Sequence, residues 1–260
     1  RRRKLIILKT EIKIALKAIK NAIELAEKFL ENPGILKNEF KDIKTLVDLK
    51  INESIIHDLS KSNIPIISEE LNYENFELPK KCWIIDPLDG TFNFTRKFPV
   101  VGISIALFID GNPVIGIVQD IFNKSTYLSE LGSGANKNDF KINVSNISEL
   151  KNAILATGFP SGTSYESKKL FEFVSLVQKF KKIRAIGCAS LMLSYVAEGI
   201  FDVYYEKDIY LWDVAAGLSL VKESGGEIFY QCTDGKFKYE VLASNKKIFK
   251  ESKKLLIKTI

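Results

Sequence analysis

Around Leu150 the chain changes its pattern, and that change limits the folds open to it. Before it, three strand-like runs follow one another, Val101 to Ile109, Pro113 to Asp120 and Ser125 to Leu131. They are joined by Asp110-Gly111-Asn112 and by a polar loop around Asn123, so an antiparallel meander is expected. After it, strands alternate with helices: Ala153 to Thr157, a helix from about Ser164 to Phe180, a strand near Ile183, a helix from Ala189 to Glu198, a strand from Phe201 to Tyr205 and a helix from Trp212 to Ser224. The pattern predicts an α+β half over 1–150 joined to an α/β half over 151–260.

Upstream, Ile12, Ala15, Ile19, Ala22, Ala26 and Leu30 recur in steps of three and four, which predicts a long amphipathic helix ended by Asn32-Pro33-Gly34. A second helix is expected from about Asp42 to Leu59, then a short buried strand, Ile64-Pro65-Ile66-Ile67, leading into Ser68-Glu69-Glu70. With 260 residues, 46% of them hydrophobic, the chain can bury a sizeable core as one domain or as two closely packed halves. The net charge of +6 comes from lysines spread along the chain rather than from a basic patch interleaved with aromatics, so nucleic-acid binding is not expected. Cys82, Cys188 and Cys232 are odd in number and far apart, which fits a reducing cytoplasm. Leu5 to Leu8 is too short for a membrane span, so no membrane partner is expected either.

Chemistry concentrates where apolar runs stop. Cys82-Trp83-Ile84-Ile85 reads as a buried strand that breaks off at Asp86-Pro87-Leu88-Asp89-Gly90, a turn holding two carboxylates three positions apart. Taken alone, this is equally an Asx-type turn capping a helix near Thr91. Glu69 also follows a strand, and Asp213 opens a helix, where a lone acid is commonly a cap. Acids at three such ends can converge on one sheet edge, and an all-oxygen site suits Mg²⁺ with phosphate. His57 is the single histidine and sits next to Asp58 in the second helix, so zinc-hydrolase motifs are absent. No Walker A or G-x-G-x-x-G sequence occurs. Thr91, after Gly90 at a helix start, would offer backbone N–H groups to a phosphate.

At these residues the sequence resembles the inositol monophosphatase family. Trp83-Ile84-Ile85-Asp86-Pro87-Leu88-Asp89-Gly90-Thr91-Phe92-Asn93-Phe94 is similar to its first signature and Trp212-Asp213-Val214-Ala215-Ala216-Gly217 to its second. Ser68-Glu69-Glu70 resembles the upstream Gly-Glu-Glu element, and the likeness extends nearly to the end of the chain. The resemblance implies a layered α-β-α-β-α sandwich, a homodimer and a lithium-sensitive, Mg²⁺-dependent phosphatase. It implies that Glu69, Asp86 and the Leu88 carbonyl hold one Mg²⁺, that Asp86, Asp89 and Asp213 hold a second, and that a looser third ion sits near Glu69. It further implies that Thr91 and Asp48, with Glu69, act on the attacking water, and that Lys37 lies on a mobile loop over the site. Gly90, Thr91, Gly187, Cys188, Ala189, Glu206 and Asp213 would contact the substrate.

Two residues depart from the family pattern. Ser68 replaces a glycine, which touches local backbone freedom, and Cys188 stands where threonine or serine is common, which touches the pocket. Glu206, at the end of Tyr204-Tyr205-Glu206-Lys207, would accept hydrogen bonds from substrate hydroxyls, or else pair with a surface lysine. The expected reaction is hydrolysis of an inositol-like polyol or sugar phosphate by a metal-activated water. Phosphatases of nucleotide 3',5'-bisphosphates, fructose-1,6-bisphosphate or histidinol phosphate are alternatives on the same fold, and a non-catalytic binding protein is one of another class.

Overall fold

Helix α1 spans Arg2–Phe29 in the computed structural model, which describes residues 2–39, 42–73, 77–159 and 166–257. Its buried stripe is mostly small, with Ala15, Ala18, Ala22 and Ala26 closed off from solvent beside Ile19. Small side chains there let the next helix approach closely. Strands β1 (Ile35–Glu39) and β2 (Asp42–Thr45) form an antiparallel two-stranded ribbon. The predicted start of the second helix at Asp42 is therefore corrected: helix α2 runs Leu46–Leu59. Thr45 is extended and donates its backbone N–H and its hydroxyl to Asp48, a capping box that fixes the helix start.

Strand β3 (Ile66–Ser68) begins just after Pro65, which has no N–H to offer a ladder. Strand β4 covers Lys81–Asp89, so it does not stop at Asp86 as the sequence suggested. It continues through Pro87 with a register irregularity between Asp86 and Asp89, a bulge of the kind that re-aims side chains. Helix α3 (Thr91–Thr95) follows, then the predicted meander β5 (Gly102–Ile109), β6 (Asn112–Asp120) and β7 (Ser125–Glu130). Two unpredicted strands, β8 (Gly134–Lys137) and β9 (Phe140–Ile142), complete a seven-stranded sheet ordered β3-β4-β5-β6-β7-β8-β9.

The second sheet is built from β10 (Ile154–Thr157), followed by helix α4 (Ser167–Val177), β11 (Lys182–Arg184), helix α5 (Ala189–Ala197), β12 (Val203–Tyr210), helix α6 (Leu211–Glu223), β13 (Glu227–Cys232), β14 (Lys238–Ser244) and helix α7 (Lys246–Leu256). The predicted start of α4 at Ser164 lies outside the described residues. Strands β11, β10 and β12 are parallel, but β14 and β13 add antiparallel, so simple alternation fails after α6. Strand β12 also outruns its predicted end at Tyr205, because a bulge after Glu206, with Asp208 at φ +62°, carries pairing on to Tyr210.

These elements stack as α-β-α-β-α. Helices α1 and α2 cover one face of the large sheet, and α5 and α6 lie between the two sheets. Helices α4 and α7 close the outer face of the small one. Pleating explains the continuous apolar runs. Trp83, Ile85, Ile103, Ile105 and Leu107 point to the α1/α2 side, while Cys82, Ile84, Ala106 and Phe108 point to the middle layer. Helix α6 is buried on nearly every side. Gly217 lets it press against Leu193 of α5, and Gly116 lets β6 meet its backbone at Ala216, with no room at either place for a Cβ.

Candidate metal-binding active site

Three predicted acids meet at one place. Carboxylate oxygens of Glu69, Asp86 and Asp213 all lie within 4.8 Å of one another, although the residues are spread over 145 positions of the chain. Each arrives by a different device. Glu69 follows β3 and is held to β4 by a bond from its backbone N–H to the Ile85 carbonyl at 3.3 Å. Asp86 sits in the bulge of β4, where its Oδ1 accepts the Leu88 N–H at 2.9 Å. Asp213 opens the buried helix α6, and Ser104, the cross-strand partner of Asp86, donates its hydroxyl to the preceding Trp212 carbonyl at 3.3 Å.

Asp89 lies beside this trio, outside the tight group of three. Its Oδ2 accepts the Ser190 N–H at 2.7 Å and faces the Cys188 thiol at 3.1 Å, so it also caps helix α5. Burial raises its carboxyl above the usual range, and the bonds from Ser190, Cys188 and the Ala189 N–H offset part of that rise. Burial, then the charges of Glu69, Asp89 and Asp213, hold Asp86 well up. Asp213 is raised by burial and by Glu69, Asp89 and Glu206. Glu69 is exposed as a residue. Desolvation of its carboxyl, with the charges of Glu70 and Asp48, pushes it up to about 8. Four mutually repelling carboxyls made only of hard oxygen donors fit a divalent cation that prefers oxygen ligands.

Thr91 and Asp48 are joined. The Thr91 hydroxyl donates to Asp48 Oδ1 at 2.8 Å or to the Leu88 carbonyl at 3.0 Å, while Asp48 Oδ2 is engaged by Thr45. Burial raises Asp48, and the bonds from Thr45 and Thr91 work against it. Gly90 takes φ +91° as the cap of α3, a conformation that suits glycine. Its chain then turns so that Asn93 can donate to the carbonyls of Val100, Ile186 and Gly187, the first two at 2.9 and 2.8 Å. The Gly187-Cys188-Ala189 turn is thereby fastened to the Gly90-Thr91 segment.

Glu206 is buried on β12, in the strand rather than at its end, and makes no ion pair with Lys207 or any other lysine among the described residues. Burial and the Asp89 charge push it up to about 8. Gly158 keeps the space above it open: a Cβ there would come within 2.7 Å of Glu206 Oε1. Lys37 is exposed and stands on strand β1, opposite Lys44, rather than in a loop. Ser68 is extended within β3, so the backbone freedom of glycine is not needed. Its buried hydroxyl donates to Asn52 Oδ1 at 2.7 Å, and Lys44 pairs with the neighbouring Glu70. Cys188 is buried with its thiol turned toward Asp89, and burial with that charge keeps it protonated as a donor.

Ser104, Asn93, Ser190 and Gly158 were not picked out by sequence reasoning. Asn93 sits within the first signature, which was its one visible signal; the others show their roles only through partners far away in the chain.

The profile of the inositol monophosphatase family matches residues 5–259. The chain is 34% identical to the protein named Nus factor SuhB of Pasteurella multocida over 221 residues, 83% of each chain. It is 33% identical to the inositol-1-monophosphatase of Mesorhizobium japonicum over 200 residues, 76% of this chain and 73% of that one. The solved inositol monophosphatase of Anabaena (Nostoc) sp. PCC 7120 superposes with a TM-score of 0.81 at 28% identity, covering 96% of both chains.

Proposed function

The chain belongs to the inositol monophosphatase family, a family of phosphomonoester hydrolases, and from that premise we propose that it releases phosphate from a small polyol or sugar phosphate with bound Mg²⁺. The meeting of Glu69, Asp86 and Asp213 within 4.8 Å carries the reading. Glu69, Asp86 and the Leu88 carbonyl would hold one ion, and Asp86, Asp89 and Asp213 a second, with a looser third near Glu69. When bound, Mg²⁺ supplies neutralisation of phosphoryl charge and acidification of water.

The protein's own groups then set the geometry. Thr91 Oγ1, which donates to Asp48 Oδ1, presents its lone pairs to the attacking water, and Asp48 receives the proton passed through that bond. The backbone N–H groups of Gly90 and Thr91 orient the phosphate. Ala189 and the Gly187-Cys188 turn border the alcohol, and the Glu206 carboxylate accepts hydrogen bonds from its hydroxyls. A site that bonds a hydroxyl in this way rejects analogues lacking it, because its own buried group is left unpaired. A panel of phosphate esters at fixed Mg²⁺ tests the reading. Release from polyol phosphates should exceed release from simple alkyl phosphates, and no release from any ester would sink it. Bisphosphates and histidinol phosphate belong in the same panel.

A homodimer is part of the proposal. Exposed Phe92 and Phe98 lie on and after α3, which Asn93 fastens to the segment just beyond exposed Ile183, and this apolar surface supports a second copy there. Light scattering on the purified chain checks it. Among the described residues no helix is long and apolar enough to cross a membrane.

A further inference from the structure

Four aromatic rings form a row that joins the chain segment of Glu69 to that of Asp213. Tyr73 meets Phe237 with ring centroids 5.0 Å apart, Phe237 meets Trp212 at 5.1 Å, and Trp212 stacks on Tyr210 at 4.8 Å with planes 7° apart. Each end of the row is tied to a segment bearing one acid. The Tyr73 hydroxyl accepts the Ser68 N–H at 2.7 Å, immediately before Glu69. Trp212 immediately precedes Asp213, and the Leu211 N–H donates to the Phe237 carbonyl at 2.9 Å. Phe237 thus touches the segment of Asp213 directly, and reaches the segment of Glu69 through Tyr73.

The loop that presents Phe237 is itself braced. Asp234 Oδ1 accepts the N–H groups of Lys236 and Lys238 at 2.8 and 3.0 Å. The Thr233 hydroxyl bonds Asp208, in the bulge of β12, at 2.8 Å. Both rings in the middle of the row are buried, with Phe237 and Trp212 each 7% exposed. A buried ring on a braced loop is a rigid spacer. Removing it frees the Tyr73 and Trp212 rings to shift, and with them the segments that carry the two carboxyls.

We propose that Phe237 is a positioning residue whose ring sets the separation of the Glu69 and Asp213 carboxylates, and so the affinity of the cluster for a divalent cation. The proposal rests on the metal-site reading above. Groups that orient the ligands of a metal site typically change its affinity by about 10- to 100-fold when altered.

The test is calorimetric titration of Mn²⁺ into the metal-free full chain, together with thermal melting in chelator. Phe237→Leu keeps an apolar side chain and removes the ring. Tyr73→Phe keeps the ring and removes the bond to Ser68. Phe229→Leu is the control, since Phe229 packs on the opposite face of the same small sheet beneath Lys253. Phe237→Leu should weaken Mn²⁺ binding roughly tenfold and Tyr73→Phe by a smaller factor. Phe229→Leu should lower the melting temperature and leave Mn²⁺ affinity alone. If wild type binds Mn²⁺ and Phe237→Leu binds it equally well, the spacer is overturned while the metal site stands. If wild type binds none, both are overturned. Should Phe237→Leu fail to fold, Tyr73→Phe decides: affinity equal to wild type rejects the proposal.

Discussion

The hydroxyl of Thr91 donates to a carboxylate oxygen of Asp48 at 2.8 Å, across 43 positions of sequence, while the other oxygen of that carboxylate is taken by Thr45. Asp48 is therefore oriented from two sides, and under the proposed function it acts on a proton through Thr91. Thr91→Ala should lower kcat by about a hundredfold, the scale of a lost proton-transfer group, with little change in the Mg²⁺ concentration needed for half activity. Steady-state kinetics across a Mg²⁺ series check this. A large rise in Mg²⁺ requirement with kcat intact would move Thr91 into the metal shell.

Removal of metal should abolish hydrolysis and lower stability together, because the cluster is left as close, repelling carboxyls. Chelator is expected to cancel activity, and saturating Mg²⁺ at about 100 times its Kd should add about 2.7 kcal/mol of folding stability. Asp213→Asn should slow turnover on the order of a thousandfold, equal to about 4 kcal/mol of barrier. Melting curves and rates, each with and without chelator, are the measurements. A chain as active in chelator as in Mg²⁺ would refute the site.

Lithium should inhibit in the presence of Mg²⁺ and substrate, as expected of a member of this family. Inhibition curves on the best substrate of the phosphate-ester panel measure it. Full activity at high lithium would show that the position shared by Asp86, Asp89 and Asp213 is not of the ordinary kind.

Glu206 links pH to stability. Its folded pKa is pushed up to about 8 by burial and Asp89, above the 4.5 of an unperturbed glutamate. An acid raised on folding contributes most below the unfolded pKa, and that contribution is lost as pH rises through the folded one. Between pH 4.5 and 8 the metal-free chain should thus lose stability through this residue. Glu206→Gln should relieve the loss, gaining ~2–4 kcal/mol at pH 8 and almost nothing at pH 4.5. The same variant should lower kcat/KM for a polyol phosphate while barely affecting p-nitrophenyl phosphate. Denaturant melts at the two pH values, with kinetics on both esters, decide the matter; equal loss on both esters would make the residue structural.

Much of the site was legible because its acids sit where apolar runs end, and strand ends on one sheet edge are neighbours whatever their separation in sequence. The bulge at Asp86 to Asp89 was not legible, since Pro87 and Gly90 read as punctuation although the flanking ladder resumes on β5. The ribbon carrying Lys37 was hidden for a different reason. Its first strand is exposed and, among the described residues, its two strands pair only with each other, so no sheet face imposed an alternation on the sequence. Ser68 read as a departure, yet the Asn52 amide that receives its hydroxyl lies 16 residues upstream. Contacts such as Asn93 with Ile186, or Asp89 with Ser190, join segments about 100 residues apart, and no local pattern encodes that.

Helix α6 belongs to both sheets at once. Its flanks are filled by strands from before Leu150 and after it, and its glycine lies flat against α5. Separated at that point, the N-terminal fragment would expose the face that α6 covers, and the C-terminal fragment would carry a largely apolar helix, buried along most of its length in the whole chain, with part of its cover missing. Neither piece is equipped to stand alone, so unfolding should proceed in a single cooperative step. The two fragments, mixed, should recover structure by complementation that neither shows by itself.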